Sequence, residues 1–361
     1  MTPVKLLDET MMRRALHLAI NGLYTTHPNP RVGCVIAHHD RIVGEGWHVK
    51  AGDAHAEVNA LKLAGHHAKG GTAYVTLEPC SHMGRTPPCV DALINAGIKR
   101  VVYGMKDPNH LVNGQGLEKL KIAGIVVDGP VCELQARELN AGFIRRMQLG
   151  LPLVRLKMGM SADGRTALLN GTSKWITSEA ARDDVQYWRA RSSAILTSIG
   201  TVLADDPLMN VRAENLDLQG RQPMRVICDT HLRTPATARI VQSPGALLYT
   251  NAIPHVCGQA EVVRVSINQA GRVELETVLR DLARRECNEV LVEAGATLCG
   301  DLLARKLVNE VVLYVAPVLL GHDARGLFNL PVISTMSDRI EMQLLDTMQL
   351  GSDIRLRYKI I

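Results

Sequence analysis

Residues 55–57 read His-Ala-Glu, and residues 78–89 read Glu-Pro-Cys-Ser-His-Met-Gly-Arg-Thr-Pro-Pro-Cys. The imidazole of His55 and the thiolates of Cys80 and Cys89 form a donor set suited to tetrahedral zinc, with the fourth position left for water. Glu57 begins a predicted helix and can reach that water without binding the metal. For any one of these residues, a helix cap or a small buried side chain is the ordinary explanation. The spacing of the whole set instead favours an open zinc site of the hydrolytic kind.

The residues around this motif predict alternating helices and strands, which is the pattern of a layered α/β domain. Gly150 and Pro152 mark the predicted linker, so we expect domains at 1–150 and 151–361. The elements predicted in the first half are a helix from about residue 8, strands 31–37, 41–48, 73–77, 100–104 and 125–127, and helices 55–64, 89–96, 117–123 and 132–148.

The second half restarts the alternation. Its predicted elements are strands 153–158, 194–197, 225–228, 246–249, 261–265, 289–292 and 310–315, helices 179–191, 275–285 and 296–307, and a closing hairpin around Gly351. Ten of the 13 histidines fall in the first 110 residues, so the chemistry of the two halves is predicted to differ. Because no Gly-x-Gly-x-x-Gly follows a strand, a Rossmann dinucleotide site is not predicted.

Composition narrows the class of partner. The 361 residues are 46% hydrophobic and 21% charged, as in an ordinary folded protein. Aromatic residues make up 3% and the net charge is +5, which favours a small anionic ligand over nucleic acid. The longest apolar stretch, 311–320, is broken by Pro317 and is shorter than the ~20 residues of a membrane helix. Eight scattered cysteines and no visible secretory signal lead us to expect a cytoplasmic protein.

Two further blocks accompany the zinc motif. Residues 28–33 read Pro-Asn-Pro-Arg-Val-Gly, and residues 107–109 read Asp-Pro-Asn. The combination resembles the zinc-dependent nucleobase deaminases. It resembles most closely the deaminase half of the bifunctional riboflavin-biosynthesis deaminase/reductase family. Eight residues separate the cysteines here, against two in the commonest deaminase pattern; Met83 and His110 also stand where that family commonly has His and Pro.

The resemblance implies a set of substrate contacts in the first half. Asn29, His48, Asp107 and Asn109 would hold the pyrimidine and ribose by hydrogen bonds, and Arg85 would meet the ribose phosphate. Arginine suits that task because its planar fork is always charged and matches phosphate oxygens. Turn formation is the alternative for Asn29 and Asn109, since both flank prolines.

Four segments of the second half, 155–166, 173–177, 199–207 and 293–301, are similar to the reductase half of the same family. The resemblance therefore extends over nearly the whole chain. It implies an α/β protein in which a cytidine-deaminase-like zinc domain precedes a dihydrofolate-reductase-like domain that uses NADPH.

The resemblance also implies site residues for the reductase half, of which Lys157 and Asp205 would assist hydride and proton transfer. The implied substrate contacts are Ser173, Arg189, Met209, Arg212 and Glu293. The implied cofactor contacts are Gly159, Trp175, Thr201, Asp205, Thr230, Gly295, Ala296, Thr297 and Leu298. Backbone amides at the start of the helix near 296 can hold a dinucleotide phosphate, although a plain strand-to-helix loop has the same sequence pattern. For Arg189, a solvated helix face is the alternative.

The family's activity would be deamination of a small phosphorylated pyrimidine followed by NADPH-dependent reduction of its ribosyl side chain, in a homodimer or larger assembly. Two other hypotheses stay open. The chain is a deaminase of another base whose second half binds an effector or oligomerises, or it is a binding protein with a structural zinc. The last hypothesis needs a fourth protein ligand such as His48 or His82.

Overall fold

The chain folds as two units, Met1–Gly150 and Leu151–Ile361. The computed structural model describes residues 3–81, 87–109 and 113–361. Among these residues, none of the helices combines the length and the apolar character that crossing a membrane requires. All eight cysteines are free thiols.

The first unit is built on a five-stranded sheet in the order β2-β1-β3-β4-β5. Strand β1 is antiparallel to both β2 and β3, whereas β3, β4 and β5 are parallel. The strands are β1 (Gly33–His38), β2 (Arg41–Trp47), β3 (Thr72–Val75), β4 (Arg100–Tyr103) and β5 (Val126–Asp128). The helices are α1 (Pro3–Ile20), α2 (Ala56–Ala64), α3 (Cys89–Asn95), α4 (Gln115–Ile122), α5 (Glu133–Leu139) and α6 (Ala141–Leu149).

Strand β1 is buried on both faces, which explains its continuous apolar sequence. Cys34 and Ile36 pack in the cluster that contains α2, and Val35 packs in the cluster that contains α1. Helix α2 lies so close to the sheet that a Cβ at Gly46 would be only 2.5 Å from the carbonyl oxygen of Ala56. The absence of a side chain at Gly46 permits this approach. This packing holds the beginning of α2, and with it the zinc motif, against the sheet.

The second unit contains a nine-stranded sheet in the order β11-β10-β9-β8-β12-β6-β13-β16-β15, in which β11 through β13 are parallel and β16 and β15 are antiparallel additions. Strands β7 and β14 form a separate pair. The strands are β6 (Leu153–Ser161), β7 (Arg165–Ala167), β8 (Ala194–Ser198), β9 (Met224–Cys228), β10 (Ala246–Thr250), β11 (Glu261–Arg264), β12 (Glu289–Val292), β13 (Glu310–Ala316), β14 (Arg325–Gly326), β15 (Met342–Leu350) and β16 (Asp353–Ile360). The helices are α7 (Glu179–Arg191), α8 (Ile199–Asp205), α9 (Leu275–Arg284) and α10 (Ala296–Ala304).

Helices cover both faces of this sheet. Helix α9 buries Leu275, Val278, Leu279 and Leu282, a spacing that forms one apolar stripe, in the cluster shared with α10. Helix α7 packs on the opposite side in a smaller cluster that includes Trp188. The second unit is therefore a three-layer α/β arrangement.

A charged layer lies beside Trp188 on α7. The fully buried guanidinium of Arg155 bonds Glu289 at 3.0 Å and Glu310 at 2.7 Å, and it lies 4.9 Å from the Trp188 ring. Arg357 also bonds Glu310, at 3.0 Å. Burial alone would raise the pKa of Glu310, but Arg155 and Arg357 lower it to about 2.

The predicted alternation of helices and strands is confirmed, with three differences in detail. The single helix predicted over 132–148 is two helices, because the Asn140 side chain turns away to bond both the N–H and the carbonyl of Arg31. Strands β7 and β14 are three and two residues long and carry no periodic pattern. Helix α8 (Ile199–Asp205) is not among the helices predicted from the sequence.

Candidate functional site

The three predicted zinc ligands lie together in the first unit. His55 precedes α2, Cys80 follows β3, and Cys89 is the first residue of α3. His55 Nδ1 lies 3.2 Å from Cys89 Sγ and 3.6 Å from Cys80 Sγ. Tetrahedral zinc with ordinary Zn–N and Zn–S bonds would separate these atoms by about 3.6 Å. The donor types and their spacing therefore fit zinc, and these three are the metal-binding cluster found among the described residues.

The surroundings of Cys80 favour its ionised thiolate form. Hydrogen bonding from Cys89 and from His55 lowers the pKa of Cys80 to about 4. The same Cys80 thiolate raises the pKa of Cys89, and it raises the pKa of His55. A thiolate is the form of cysteine that binds a metal.

Glu57 lies in the first turn of α2 and has 3% of its surface exposed. Burial raises its pKa to about 7, and the negative charge of Cys80 adds to the effect. The carboxyl group is therefore close to the ligand cluster without belonging to it. A buried carboxyl with such a pKa can both accept and return a proton near neutral pH.

Asn29 and His48 form the wall next to His55. Asn29 Nδ2 lies 3.0 Å from His48 Nε2, and His48 Nδ1 lies 3.2 Å from the carbonyl oxygen of Ala54. The imidazole thus donates from Nδ1 and accepts at Nε2, and burial lowers its pKa. Because both nitrogens are engaged, His48 is not placed as a fourth zinc ligand. The alternative ligand His82 and the predicted phosphate contact Arg85 lie outside the described residues, as do Met83 and His110.

Asp107 and Asn109 form a local turn after β4. The backbone N–H of Asn109 donates to Asp107 Oδ1 at 2.9 Å. Asn109 therefore takes part in a turn, as the alternative explanation of this residue expects. The turn uses its backbone N–H and not its side-chain amide. The substrate roles of both residues stay predictions.

Every residue predicted for the second half lines one cleft of the second unit, with a volume of about 2100 Å³. We call it the second-unit cleft. The predicted residues on its walls are Lys157, Gly159, Ser173, Trp175, Arg189, Thr201, Asp205, Met209, Arg212, Thr230, Glu293, Gly295, Ala296, Thr297 and Leu298.

Arg189 and Glu293 form a bidentate ion pair in this cleft, with N–O distances of 2.6 and 2.9 Å. Burial opposes ionisation of Glu293, but Arg189 and Lys157 hold its pKa below the ordinary value. Arg189 also donates to the carbonyl oxygen of Asn210 at 3.0 Å. The Arg189 guanidinium is therefore held in the wall of the cleft beside Met209. The alternative that Arg189 belongs to a solvated helix face is wrong.

Lys157 and Asp205 have different surroundings. The Lys157 ammonium lies 5.6 Å from the centre of the Tyr314 ring. Burial lowers the pKa of Lys157, whereas the charge of Glu293 opposes that effect. Asp205, at the end of α8, forms an exposed ion pair of 3.1 Å with Lys174.

The cofactor-side residues occupy the ends of strands and the beginnings of helices. Thr230 Oγ1 accepts a hydrogen bond from the backbone N–H of Val273 at 3.1 Å, which joins the loop after β9 to the loop before α9. Gly295 precedes α10, and Thr297 Oγ1 accepts from Asn329 at 3.0 Å. Trp175 is 72% exposed and stacks on Arg182 at 4.4 Å.

Sequence patterns missed several residues of the two sites. Arg239 and Arg272 add positive charge to the second-unit cleft, but Arg239 begins a three-residue 3-10 helix and Arg272 lies in a loop, and neither belongs to a motif. Glu78 was noted as part of the Glu-Pro-Cys run and given no role; its hydrogen bonds to distant backbone amides could be found only in the folded chain.

A His, Cys, Cys cluster beside a buried glutamate, on a mixed five-stranded sheet, defines the zinc-dependent nucleobase deaminases. In this chain that site is followed by a second α/β unit with its own cleft. The class defined by fold and site is thus a deaminase joined to a second domain.

Comparisons with known proteins specify the class further. The family model of the cytidine and deoxycytidylate deaminase zinc-binding region matches residues 6–105, and that of the RibD C-terminal domain matches residues 152–356. Riboflavin biosynthesis protein RibD of Escherichia coli is 49% identical over 96% of this chain and 98% of its own length. RibD of Haemophilus influenzae is 47% identical, with 97% of each chain covered.

Two solved structures agree with these relatives. Acinetobacter baumannii RibD, form 1, superposes with a TM-score of 0.92 at 47% identity over 99% of both chains. A Thermotoga maritima diaminohydroxyphosphoribosylaminopyrimidine deaminase/5-amino-6-(5-phosphoribosylamino)uracil reductase gives 0.87 at 32% identity, with 99% of this chain and 100% of that chain covered. The chain belongs to the bifunctional deaminase/reductase family of riboflavin biosynthesis. The predicted family, fold class and pair of activities are confirmed.

Proposed function

We propose that the first unit hydrolyses the exocyclic amine of 2,5-diamino-6-ribosylamino-4(3H)-pyrimidinone 5′-phosphate. The second unit would then reduce the ribosyl side chain of that product to ribityl with NADPH, which gives 5-amino-6-ribitylamino-uracil 5′-phosphate. The observation that carries the proposal is the placement of His55, Cys80 and Cys89 within ligand distance of one another, close to Glu57. The Thermotoga maritima relative, a diaminohydroxyphosphoribosylaminopyrimidine deaminase and 5-amino-6-(5-phosphoribosylamino)uracil reductase, supports this choice of the two substrates.

In the deaminase, His55, Cys80 and Cys89 would hold one zinc ion. When bound, zinc would supply Lewis-acid activation of water. Glu57 takes the proton from the attacking water and returns it to the departing amine. Its burial keeps competing water away, so that its proton is exchanged with the substrate.

Hydrogen bonds would orient the pyrimidine in that site. The amide oxygen of Asn29 is free to accept from the base, because the Nδ2 group contacts His48. Asp107 and Asn109 would bind the base and ribose from the turn after β4, and Arg85 would bind the phosphate. These hydrogen bonds would raise the rate of deamination, because they align the reacting groups before the chemical step.

In the reductase, the second-unit cleft would hold both NADPH and the deaminated substrate, and its volume of about 2100 Å³ accommodates two ligands of this kind. NADPH supplies a hydride. The backbone amides at Ala296, Thr297 and Leu298 open α10, where an anionic phosphate is favoured. Gly159, Trp175, Thr201, Asp205 and Thr230 would complete the cofactor side.

On the substrate side, Arg212 and Ser173 face the same cleft and would bind the phosphate and the sugar. Arg189, Met209 and Glu293 act as one wall, because the ion pair fixes the arginine. Lys157 and Asp205 would assist proton movement at the opened sugar. An ammonium near the developing alkoxide stabilises its negative charge.

We also propose a homodimer or larger assembly that works in the cytoplasm. Strand β15 ends the nine-stranded sheet, and its apolar side chains include Met342, Leu344 and Met348, each at least 41% exposed. An exposed apolar strand at a sheet edge is a surface that a second copy can cover. Light scattering of the purified protein measures the assembly directly.

The test of the proposed function is incubation of the purified protein with the diamino substrate, with and without NADPH, and identification of products by mass. We expect the deaminated ribosyl product alone without NADPH and the ribityl product with it. Absence of ammonia release would overturn the deaminase assignment. Deamination without any consumption of NADPH would instead support the hypothesis that the second unit binds an effector.

A further inference from the structure

Glu78 is a buried carboxylate next to the zinc motif. It lies two residues before Cys80 and has 3% of its surface exposed. Its backbone N–H donates to the carbonyl oxygen of Met105 at 2.9 Å, which continues the contact between the ends of β3 and β4. A buried carboxylate is costly unless hydrogen bonds replace its lost water. Its partners therefore show what the residue stabilises.

Three backbone amides from one distant segment donate to this carboxylate. The N–H groups of Asp107 and Gly114 donate to Oε2 at 3.2 and 3.0 Å, and the N–H group of Gly116 donates to Oε1 at 3.0 Å. Gly114 and Gly116 open α4, where the first N–H groups have no partner within the helix and carry partial positive charge. Glu78 thus caps α4 from another part of the chain and also fixes the backbone of Asp107.

The bond to Asp107 extends to the next polar residue. The carboxylate of Asp107 in turn accepts from the N–H of Asn109 at 2.9 Å. Consequently, the orientation of both side chains depends on where Glu78 holds the backbone of residue 107. The same carboxylate is joined through Pro79 to Cys80, so one side chain relates the predicted substrate turn to the predicted metal ligand.

Gly116 supports this arrangement. A Cβ at this position would lie 2.1 Å from the carbonyl oxygen of Pro79 and 3.3 Å from Glu78 Oε1. A non-bonded carbon atom does not approach an oxygen atom to 2.1 Å, so any larger residue must move α4 away from the Glu78 carboxylate. The absence of a side chain at Gly116 is thus required for the hydrogen bonds.

We propose that Glu78 is a positioning residue of the deaminase site, which holds the segment bearing Asp107 and Asn109 at a fixed place relative to Cys80. The inference rests on the proposed substrate roles of Asp107 and Asn109. Glu78 takes no part in proton transfer, because both of its oxygens accept backbone hydrogen bonds. Its effect is on substrate binding.

The test is Glu78→Gln in the full chain. The amide keeps one acceptor oxygen and replaces the other by a donor, so at least one backbone N–H then faces another N–H. We expect the KM for the diamino substrate to rise about tenfold. We expect kcat to change by less than about threefold and zinc content to stay unchanged, because the chemical groups are intact.

A second variant makes the same test without altering the carboxylate. Gly116→Ala should also raise the KM for the diamino substrate. The double variant should raise it by less than the product of the two single effects, because both substitutions disrupt the same contact between the Glu78 side chain and the beginning of α4. Glu118→Gln, an exposed position on the same helix, is the matched control and should leave KM unchanged. The circular dichroism spectrum and the thermal unfolding of each variant check folding of the first unit, and reduction of the deaminated substrate checks the second unit.

Two outcomes would overturn the proposal. One is an unchanged KM in Glu78→Gln and Gly116→Ala. The other is loss of kcat together with zinc, which would assign Glu78 to the metal scaffold. If the first unit of Glu78→Gln fails to fold, Gly116→Ala decides. Failure of the unaltered enzyme to release ammonia from the diamino substrate would instead refute the proposed function, and not the positioning role.

Discussion

Glu310→Gln tests the energetics of the charged layer beside Trp188. The substitution keeps the shape of the side chain and removes the charge that pairs with Arg155 and Arg357. In the folded protein the pKa of Glu310 is lowered from 4.5 to about 2. At about 1.4 kcal/mol per pKa unit, ionisation of this group contributes about 3 kcal/mol to the free energy of unfolding at pH 7. We expect the variant to lose that amount.

The pH dependence follows from the direction of the pKa change. The folded pKa of Glu310 is the lower one, so the contribution is complete above the unfolded value of 4.5 and is lost as the pH falls toward 2. The difference in unfolding free energy between wild type and variant should therefore decrease from about 3 kcal/mol at pH 7 to about 2 kcal/mol at pH 3.5.

The assay is urea unfolding of the full chain, followed by tryptophan fluorescence. Replacing Trp47 by Phe in both proteins leaves Trp175 and Trp188, so that the signal reports on the second unit. The matched control is Glu341→Gln, because Glu341 pairs with Arg339 where about half of each side chain is exposed. We expect less than about 1 kcal/mol there. A loss at Glu310 no larger than the control, or a difference that stays constant in acid, would refute the reasoning.

Three predictions concern the two activities. Glu57→Gln should lower deaminase kcat by about 10²- to 10⁴-fold with zinc retained by elemental analysis, while NADPH oxidation with the deaminated substrate continues; loss of both activities would contradict separate sites. Dialysis against a chelator should abolish ammonia release and leave the reductase active, and full deamination by metal-free protein would contradict the zinc assignment. Arg212→Ala should raise the reductase KM for the phosphorylated substrate about tenfold and change it less for the dephosphorylated one, as measured by NADPH absorbance. Equal effects on both substrates would contradict a phosphate contact.

The elements with strong patterns could be predicted from the sequence, and those decided by tertiary contacts could not. Helix α7 (Glu179–Arg191) has the predicted bounds, because Ser178 caps its beginning and its apolar spacing is regular. The break at Asn140 is different, since it depends on hydrogen bonds to Arg31, more than a hundred residues earlier. Local propensity contains no sign of such a partner.

The same distinction applies to the sites. The zinc cluster could be found because His55, Cys80 and Cys89 have few other reasons to occur at that spacing. The pairing of Arg189 with Glu293 could not be predicted, since 104 residues separate them and either one alone fits a phosphate or a solvent contact. The hydrogen bonds that Glu78 accepts could not be predicted for another reason. Almost every residue has a backbone N–H group, and the sequence does not show which of these groups lie near the Glu78 carboxylate.

Each of the two units is a continuous stretch of chain, with the division after Gly150. A substitution that inactivates one catalytic centre therefore need not inactivate the other. Two mutant alleles, one with Glu57→Gln and one that abolishes reduction in the second unit, should complement each other genetically in a riboflavin auxotroph, because the intermediate made by one gene product can diffuse to the other. The arrangement also allows evolution to separate or exchange the halves at a single point in the gene.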